Sequence, residues 1–465
     1  MNAPTIWIIA PAFAAILLFG IRNQRLLSII GGFIAVTLAI TAQFVPIAEA
    51  LSIGGFSIKI DSALNILGRT LQIRPAEGSL LAIIYGATAL WFFGAEAANV
   101  AQRIVPYGLL ITTLMVAAMA VEPFLFAALF IELAVLLAIP MLTKINEVPG
   151  RGVIRFLIYQ TLAMPFILLA GWLLAGVEAS PGDIALTTQS ASMLGLGFAF
   201  LLAIFPFYNW IPRLMEEAHP FIVGFLLWII PTITIIFGAG FLDRYSWLRS
   251  SAQFTITLRN VGLLMIVTGG LWAATERHFG RIMAYGSIAE TGFAILSLSI
   301  DSRMGIPILF LLLPARAMGL AVWSLALTML NNHYNSLRFR DVRGGLRSLP
   351  IAGSALIFAG LSFSAFPLLA GFPARLALWE NIASLSIGAA LWVGIGIIGL
   401  LTACFRSLAV LSMADEYTGW AVNEDWLQTI MLGLGMLGLL ILGLFPQMAQ
   451  YLLSGLQAMF EHLGH

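Results

Sequence analysis

Five ionisable side chains stand inside long apolar stretches of this 465-residue chain, where a charge has little water to answer it. Glu132 lies in FAALFIELAVLLAIP, Arg155 opens the next stretch in GVIRFLIYQ, and Glu290 lies in RIMAYGSIAETGF. Arg316 sits in LFLLLPARAMGLAVW and Arg375 in GFPARLALWE. An ionised carboxylate at the centre of a bilayer costs roughly 2.5 to 3.5 kcal/mol even on a lenient insertion scale, so Glu132 must be protonated, paired or wetted. A carboxylate in that position can take up and release protons. Arginine stays charged at any accessible pH, so Arg316 and Arg375 can fix a carboxylate, hold water or lower a neighbour's pKa, but cannot hand a proton on. The sequence-local partner for Glu132 is Arg155, and a static pair that locks two helices is the plain alternative to a proton-transfer site. Glu380, five residues beyond Arg375, is too far round a helix for an i to i+4 pair, so the arginines have no evident partner in sequence.

A second cluster, Glu216, Glu217 and His219 in IPRLMEEAHP, ends an apolar stretch. A solvated connection is the ordinary reading; proton uptake from solvent is the sharper one, because histidine titrates near neutrality. His278 and Glu290 flank the tenth span in the same way, and Asp415, Glu416, Glu424 and Asp425 read as a wet connection. Cys404 is the only cysteine, which excludes an intramolecular disulfide, a CxxC metal knot and a thiolate-ligated iron–sulfur cluster. No cofactor, metal or catalytic residue is expected in this chain, and any redox chemistry belongs to a partner. No GxGxxG follows a strand, and no strand is expected at all. The net charge of +1 gives no reason to expect nucleic acid.

The elements that hold these residues follow from composition. Hydrophobic residues make up 60% of the chain and charged residues 10%, against about 25% charged in an average soluble domain, so lipid must solvate the surface. Apolar stretches of about 20 residues predict an all-α, polytopic membrane protein of about fourteen transmembrane helices. The first, MNAPTIWIIAPAFAAILLFG, has no basic residue before its apolar run and reads as a retained span rather than a cleaved signal. Twelve basic residues fall in the connections after odd-numbered spans and seven in the others, which places the odd connections in the cytoplasm and both termini outside it.

The seventh span is interrupted by PFYNWIP, with Pro206 and Pro212, and the twelfth by PLLAGFP, with Pro367 and Pro373. Each pair is separated from its counterpart by 161 residues, as is Arg155 from Arg316, and Glu132 precedes Glu290 by 158. An offset of five spans relates all four pairs. Five is odd, so the copies insert with opposite topology, as in many secondary transporters. The division is then 1–103 for three leading helices, 104–256 for the first five-helix repeat, 257–412 for its inverted copy and 413–465 for the last helix. Paired prolines free backbone carbonyls at membrane depth, which is tolerable where they line a cavity or protein. Simple kinking of two helices is the plainer account of each pair taken alone.

Taken together, these segments resemble a known family. AIFPFYNWIPRLMEEAHP resembles the PFHxWxPDxxxxAP segment of the antiporter-like membrane subunits of NADH:quinone oxidoreductase, complex I. DVRGGLRSLPIAGSALIFAGLSFSAFPLLAGFPARL resembles their DLxGLxxRxP…LSLAGIPPxAGFxGK, RIMAYGSIAETGF their KRLLAYSSISHxGY, and GVIRFLIYQTLAMPFILLAGWLLAG their xxKYFLLGAxASAFLLxG. CFRSLAVL is similar to their YYxR. The matches run in family order from about residue 125 to 412 and favour the N-type subunit, then the M-type. Subunits of Mrp cation/proton antiporters and membrane-bound hydrogenases are the related alternatives.

The resemblance implies a membrane subunit taking part in proton translocation in a bacterial inner membrane, with other membrane subunits, lipid and protons as its partners. It also implies a proton path through a glutamate on helix 5, matched by Glu132, and lysines on helices 7, 8 and 12. Here those lysine positions fall on Leu201, on Ile230 or Pro231, and on Arg375. The chain's only lysines are Lys59 and Lys144. The resemblance therefore leaves two readings open, an altered route through Glu132, Glu290 and water, or a largely structural subunit.

Overall fold

The structure is a computed structural model; it describes residues 2–53, 56–66, 68–143, 147–180, 183–413, 422–453 and 455–463. Lys144, Asp415 and Glu416 lie outside the described residues. Backbone groups find no water partners in lipid, so long apolar segments must satisfy them internally as helices. The helices are α1 (Ala10–Leu18), α2 (Gln24–Phe44), α3 (Gly78–Ala97), α4 (Ala101–Ala120), α5 (Ala127–Leu142), α6 (Arg151–Ala179), α7 (Ile184–Leu201) and α8 (Trp210–Glu217). There follow α9 (Pro220–Arg244), α10 (Ser246–Arg249), α11 (Ala252–Thr275), α12 (Phe279–Ser297), α13 (Ser302–Tyr334) and α14 (Gly345–Ser348). The last are α15 (Pro350–Phe363), α16 (Phe372–Leu385), α17 (Ile387–Ser412), α18 (Trp426–Leu444) and α19 (Pro446–Leu453). Several starts carry the expected caps: Asn23 accepts from Leu26 N at 3.1 Å, and Asp183 from Leu186 N at 3.1 Å.

Among the described residues, eleven helices are long and apolar enough to cross a membrane, against the fourteen spans expected. The other three correspond to the short first helix, the polar α12 and the divided α15–α16. Strands are also present, contrary to expectation. Ala50–Ile53 pairs antiparallel with Phe56–Lys59, and Ala63–Ile66 with Arg69–Gln72, which in turn meets Val121–Glu122. These hairpins occupy the long connection between α2 and α3, outside the spans, where water frees the chain from helix.

Helices α9 and α13 form the buried middle of the bundle, and α2, α6, α11 and α18 turn apolar faces outward. Small residues bring the outer helices close. A Cβ added at Gly270 of α11 would stand 2.1 Å from the Gly396 carbonyl of α17. The first and last described residues lie on the hairpin face: Ala3 N donates to the Asp61 carbonyl, and the amides of Glu461, His462 and Leu463 donate to the Asp243 carboxylate at the end of α9.

Two spans are broken. α7 stops at Leu201 and α8 resumes at Trp210; α15 stops at Phe363 and α16 resumes at Phe372. Pro206 and Pro367 lie inside the breaks, while Pro212 and Pro373 stand in the first turn of the resumed helices. Ala203 and Ala365 take φ of 50° and 54°, the left-handed conformation that ends a helix at some strain for a residue with a side chain.

Candidate functional site

The centre of the site is Glu290. It lies eleven residues into α12 and is 2% exposed, so it stands inside that span and does not flank it as His278 does. Arg375, at the start of α16 and also 2% exposed, pairs with it through Nη2. Arg375 Nη1 donates to the Ser362 carbonyl at 2.5 Å, and the guanidinium lies over the rings of Phe293 and Phe363 at 5.2 and 5.9 Å. The arginine therefore ties the two halves of the broken span together and neutralises the carboxylate on α12. Ser362 is in the last turn of α15, where carbonyls lack helical donors and the helix end is partly negative.

Arg316 answers a different backbone defect. Pro231 stands in the middle of α9 and has no N–H to give to the carbonyl four residues earlier, at Leu227. Arg316 Nη2, on α13, donates to that Leu227 oxygen at 2.9 Å and to Thr291 Oγ1 at 3.1 Å. Gln160 caps the end of α7 at the first broken span, donating to the carbonyls of Leu201 at 3.2 Å and Phe200 at 3.5 Å. Leu201 and Ser362, the two capped carbonyls at the breaks, are 161 residues apart, the same interval as the prolines.

Glu132 is not part of this centre. It is half-buried on the outer side of α5, among exposed Leu129, Leu133 and Leu136, and accepts from Thr161 Oγ1 at 2.8 Å. Among the described residues it makes no ion pair with Arg155, which corrects the sequence-local pairing. The reason is depth. Glu132 stands ten residues before the end of α5, and Thr161 ten after the start of α6, whereas Arg155 stands only four after it. At 1.5 Å per residue Arg155 is about 9 Å nearer the membrane edge.

At the face opposite the hairpins, a cavity of about 820 Å³ is lined by Arg103, Glu216, Glu217, His219, His278 and Arg338, among others. The cluster Glu216, Glu217 and His219 therefore does converge on one space. Glu216 Oε1 lies 3.0 Å from Arg281 Nε, and Glu217 Oε2 accepts from Gly152 N at 2.6 Å, capping the start of α6. His219 precedes α9; burial, then the Arg103 charge, pushes it down to about 4. His278 precedes α12 and is also pushed down to about 4, by burial and by Arg281 and Arg338. Both rings are neutral at pH 7.

Sequence reasoning did not find Gln160, Thr161, the Glu290–Arg375 pair or the role of Leu227. A proline in mid-span names the carbonyl it frees, four residues back, so the need for a donor at Leu227 was readable. Its donor was not, because Arg316 is 89 residues away.

The family described as NADH:quinone oxidoreductase/Mrp antiporter, transmembrane, matches residues 182–405. NADH-quinone oxidoreductase subunit N of Salinispora arenicola is 25% identical over 280 residues, covering 59% of this chain and 53% of that protein. The chain spans about half the length of the first curated relatives it matches. A chain of respiratory complex I from Thermus thermophilus superposes with a TM-score of 0.79 at 18% identity, covering 99% of both chains. A chain of the Mrp complex from Dietzia sp. DQ12-45-1b gives 0.81 at 17% identity, covering 98% of this chain and 97% of that one. These two likenesses speak for the fold. The resemblance drawn from the motifs to the antiporter-like membrane subunits is borne out by sequence and fold alike.

Proposed function

We propose that this chain, as a relative of the antiporter-like subunits, is a non-catalytic membrane subunit of a proton-translocating, complex I-like assembly in a bacterial inner membrane. The observation that carries the reading is Glu132. A carboxylate halfway along a span, on the outside of the bundle and met by one hydroxyl of its own chain, is costly against lipid and acceptable against another protein. Its neighbours in the assembly are other membrane subunits, and the electron donor and quinone are handled by partners. The two five-helix units, 104–256 and 257–412, are inverted copies joined at the ionic centre; the equal intervals between the breaks and between their capped carbonyls support this. The surplus of basic residues in the odd connections supports a cytoplasmic place for the cavity beside His219 and an outer place for both termini.

Gentle purification of the tagged full-length chain, followed by identification of its companions, tests the proposal. Quinone-reducing or hydrogenase-type subunits together with further antiporter-like subunits are expected. A chain recovered alone, which in vesicles collapses a pH gradient on addition of sodium with no electron donor, would instead be an autonomous exchanger of the Mrp type. The buried arginines speak against exchange, since neither can release a proton to make room for a cation.

A further inference from the structure

Arg316 and Arg375 are 3% and 2% exposed, and among the described residues Glu290 is the one carboxylate bonded to either. The centre therefore carries one positive charge more than negative. That charge is held in place by backbone: the Leu227 carbonyl freed by Pro231 faces Arg316, and the Ser362 carbonyl at the end of α15 faces Arg375. Beside Arg316 lies a cavity of about 20 Å³, lined by Gln160, Leu201, Pro231, Ser287 and Thr291 among others, where the first broken span meets the ionic centre. That volume suits about one water, which needs roughly 10–15 Å³. Gln160 Oε1 and Arg316 Nε, both buried, have no hydrogen-bond partner among the described residues.

We propose that Arg316 and Arg375 make the centre of this chain a proton insulator, a fixed positive charge beside the small, mostly apolar cavity that adjoins the break in α7. A water in that space that accepts from Arg316 Nε and donates to Gln160 Oε1 stands against the guanidinium, whose charge repels an arriving proton. Fixed arginines exclude protons from water pores by the same electrostatics. A lysine at either place could release its proton and become a relay station; arginine cannot. Glu290 is no relay while Arg375 holds it, because protonating it strands a buried guanidinium. Protons moved by the assembly then bypass this interior. The inference goes beyond the assembly reading and holds for any assembly the chain joins.

The test uses the full chain, purified with whatever companions it keeps and sealed into liposomes around a pH-sensitive dye. A potassium diffusion potential set with valinomycin drives protons inward. The native chain is expected to acidify its vesicles no faster than protein-free liposomes. Arg316→Gln, which removes the charge, and Arg375→Lys, which makes it titratable, are each expected to raise the rate about tenfold or more. A native flux above the lipid background that Glu290→Gln abolishes overturns the proposal. So do variants that reach the membrane and stay as tight as the native chain, and if Arg316→Gln fails to reach it, Arg375→Lys decides alone. Native and variant preparations carry the same companions, so the difference between them reports on this chain's interior and a failure here is distinct from a failure of the assembly reading.

Discussion

Arg316 and Pro231 explain one another. The proline leaves the Leu227 oxygen without its helical donor, and the guanidinium supplies one from α13. Removing a donor from a buried acceptor costs about 1–3 kcal/mol, so Arg316→Met should lower the stability of the detergent-solubilised protein by about that much or more. In a Pro231→Ala background the helix provides its own N–H, and the same change should cost less. A double-mutant cycle of thermal midpoints measures the difference; a coupling near zero would mean that the arginine is held by Thr291 and not by the freed carbonyl. Glu132 calls for the opposite expectation. Because its bond is to Thr161, Glu132→Gln keeps an acceptor for the hydroxyl and strands no arginine, so the subunit should reach normal abundance. A second change at Arg155 is then not needed to rescue it, and immunoblotting of membranes decides this. Protons moved per electron pair, measured on the same membranes, should fall if Glu132 carries protons at the boundary with a neighbour. His219 gives a pH signature. Its folded pKa of about 4 lies below the ordinary 6.5, so the native state binds fewer protons than the unfolded chain between those values. Stability is therefore full above about pH 6.5 and is lost as pH falls towards 4. His219→Gln should flatten that part of a melting-temperature profile.

At the level of elements, the two broken helices were legible because proline acts locally: a P-x5-P spacing repeated 161 residues later announces itself in one dimension. The ion pair between α12 and α16 was not, since Glu290 and Arg375 are 85 residues apart and only the tertiary fold brings them together. Depth was misjudged for the same reason. The sequence names neighbours along the chain, and antiparallel helices match residues by their distance from the turn, so Glu132 found Thr161. The hairpins were missed because helical periodicity was the signal sought, and their short runs lie outside the spans. Glycine offers an element-scale test. α11 and α17 touch backbone to backbone, and a Cβ added at Gly396 would come within 2.6–2.9 Å of Ile266 atoms. Gly394, two residues away on the same helix, has open space around its added Cβ. Gly396→Val should therefore cost about 1–3 kcal/mol or more through overpacking, while Gly394→Val should be tolerated. Melting of the two variants in detergent compares them directly, and equal losses would mean that the helices slide apart at little cost.

Seen as a whole, the molecule gathers Glu290, Arg316 and Arg375 at its centre and leaves Glu132 on its flank. The interior charges are matched by each other and by freed carbonyls. Glu132 is matched by a single hydroxyl, on a surface otherwise made of leucine. Lipid offers an ionised carboxylate no donor, whereas a neighbouring membrane helix can offer a lysine, arginine, histidine or hydroxyl. This flank is therefore expected to be covered in the native membrane, and Leu133, 41% exposed beside Glu132, reports on it. A photoreactive diazirine analogue of leucine placed at position 133 inserts into whatever touches it. In native membranes it should yield a discrete adduct with another membrane protein, and in the chain stripped of companions by harsh detergent it should yield none. Replacing Glu132 with leucine in the same protein separates two origins of the contact. If the acid anchors the partner, the adduct should weaken; if shape alone does, it should persist. Insertion into lipid only, in native membranes as in the stripped chain, would leave Glu132 facing the bilayer, protonated, and would remove the main support for the assembly reading.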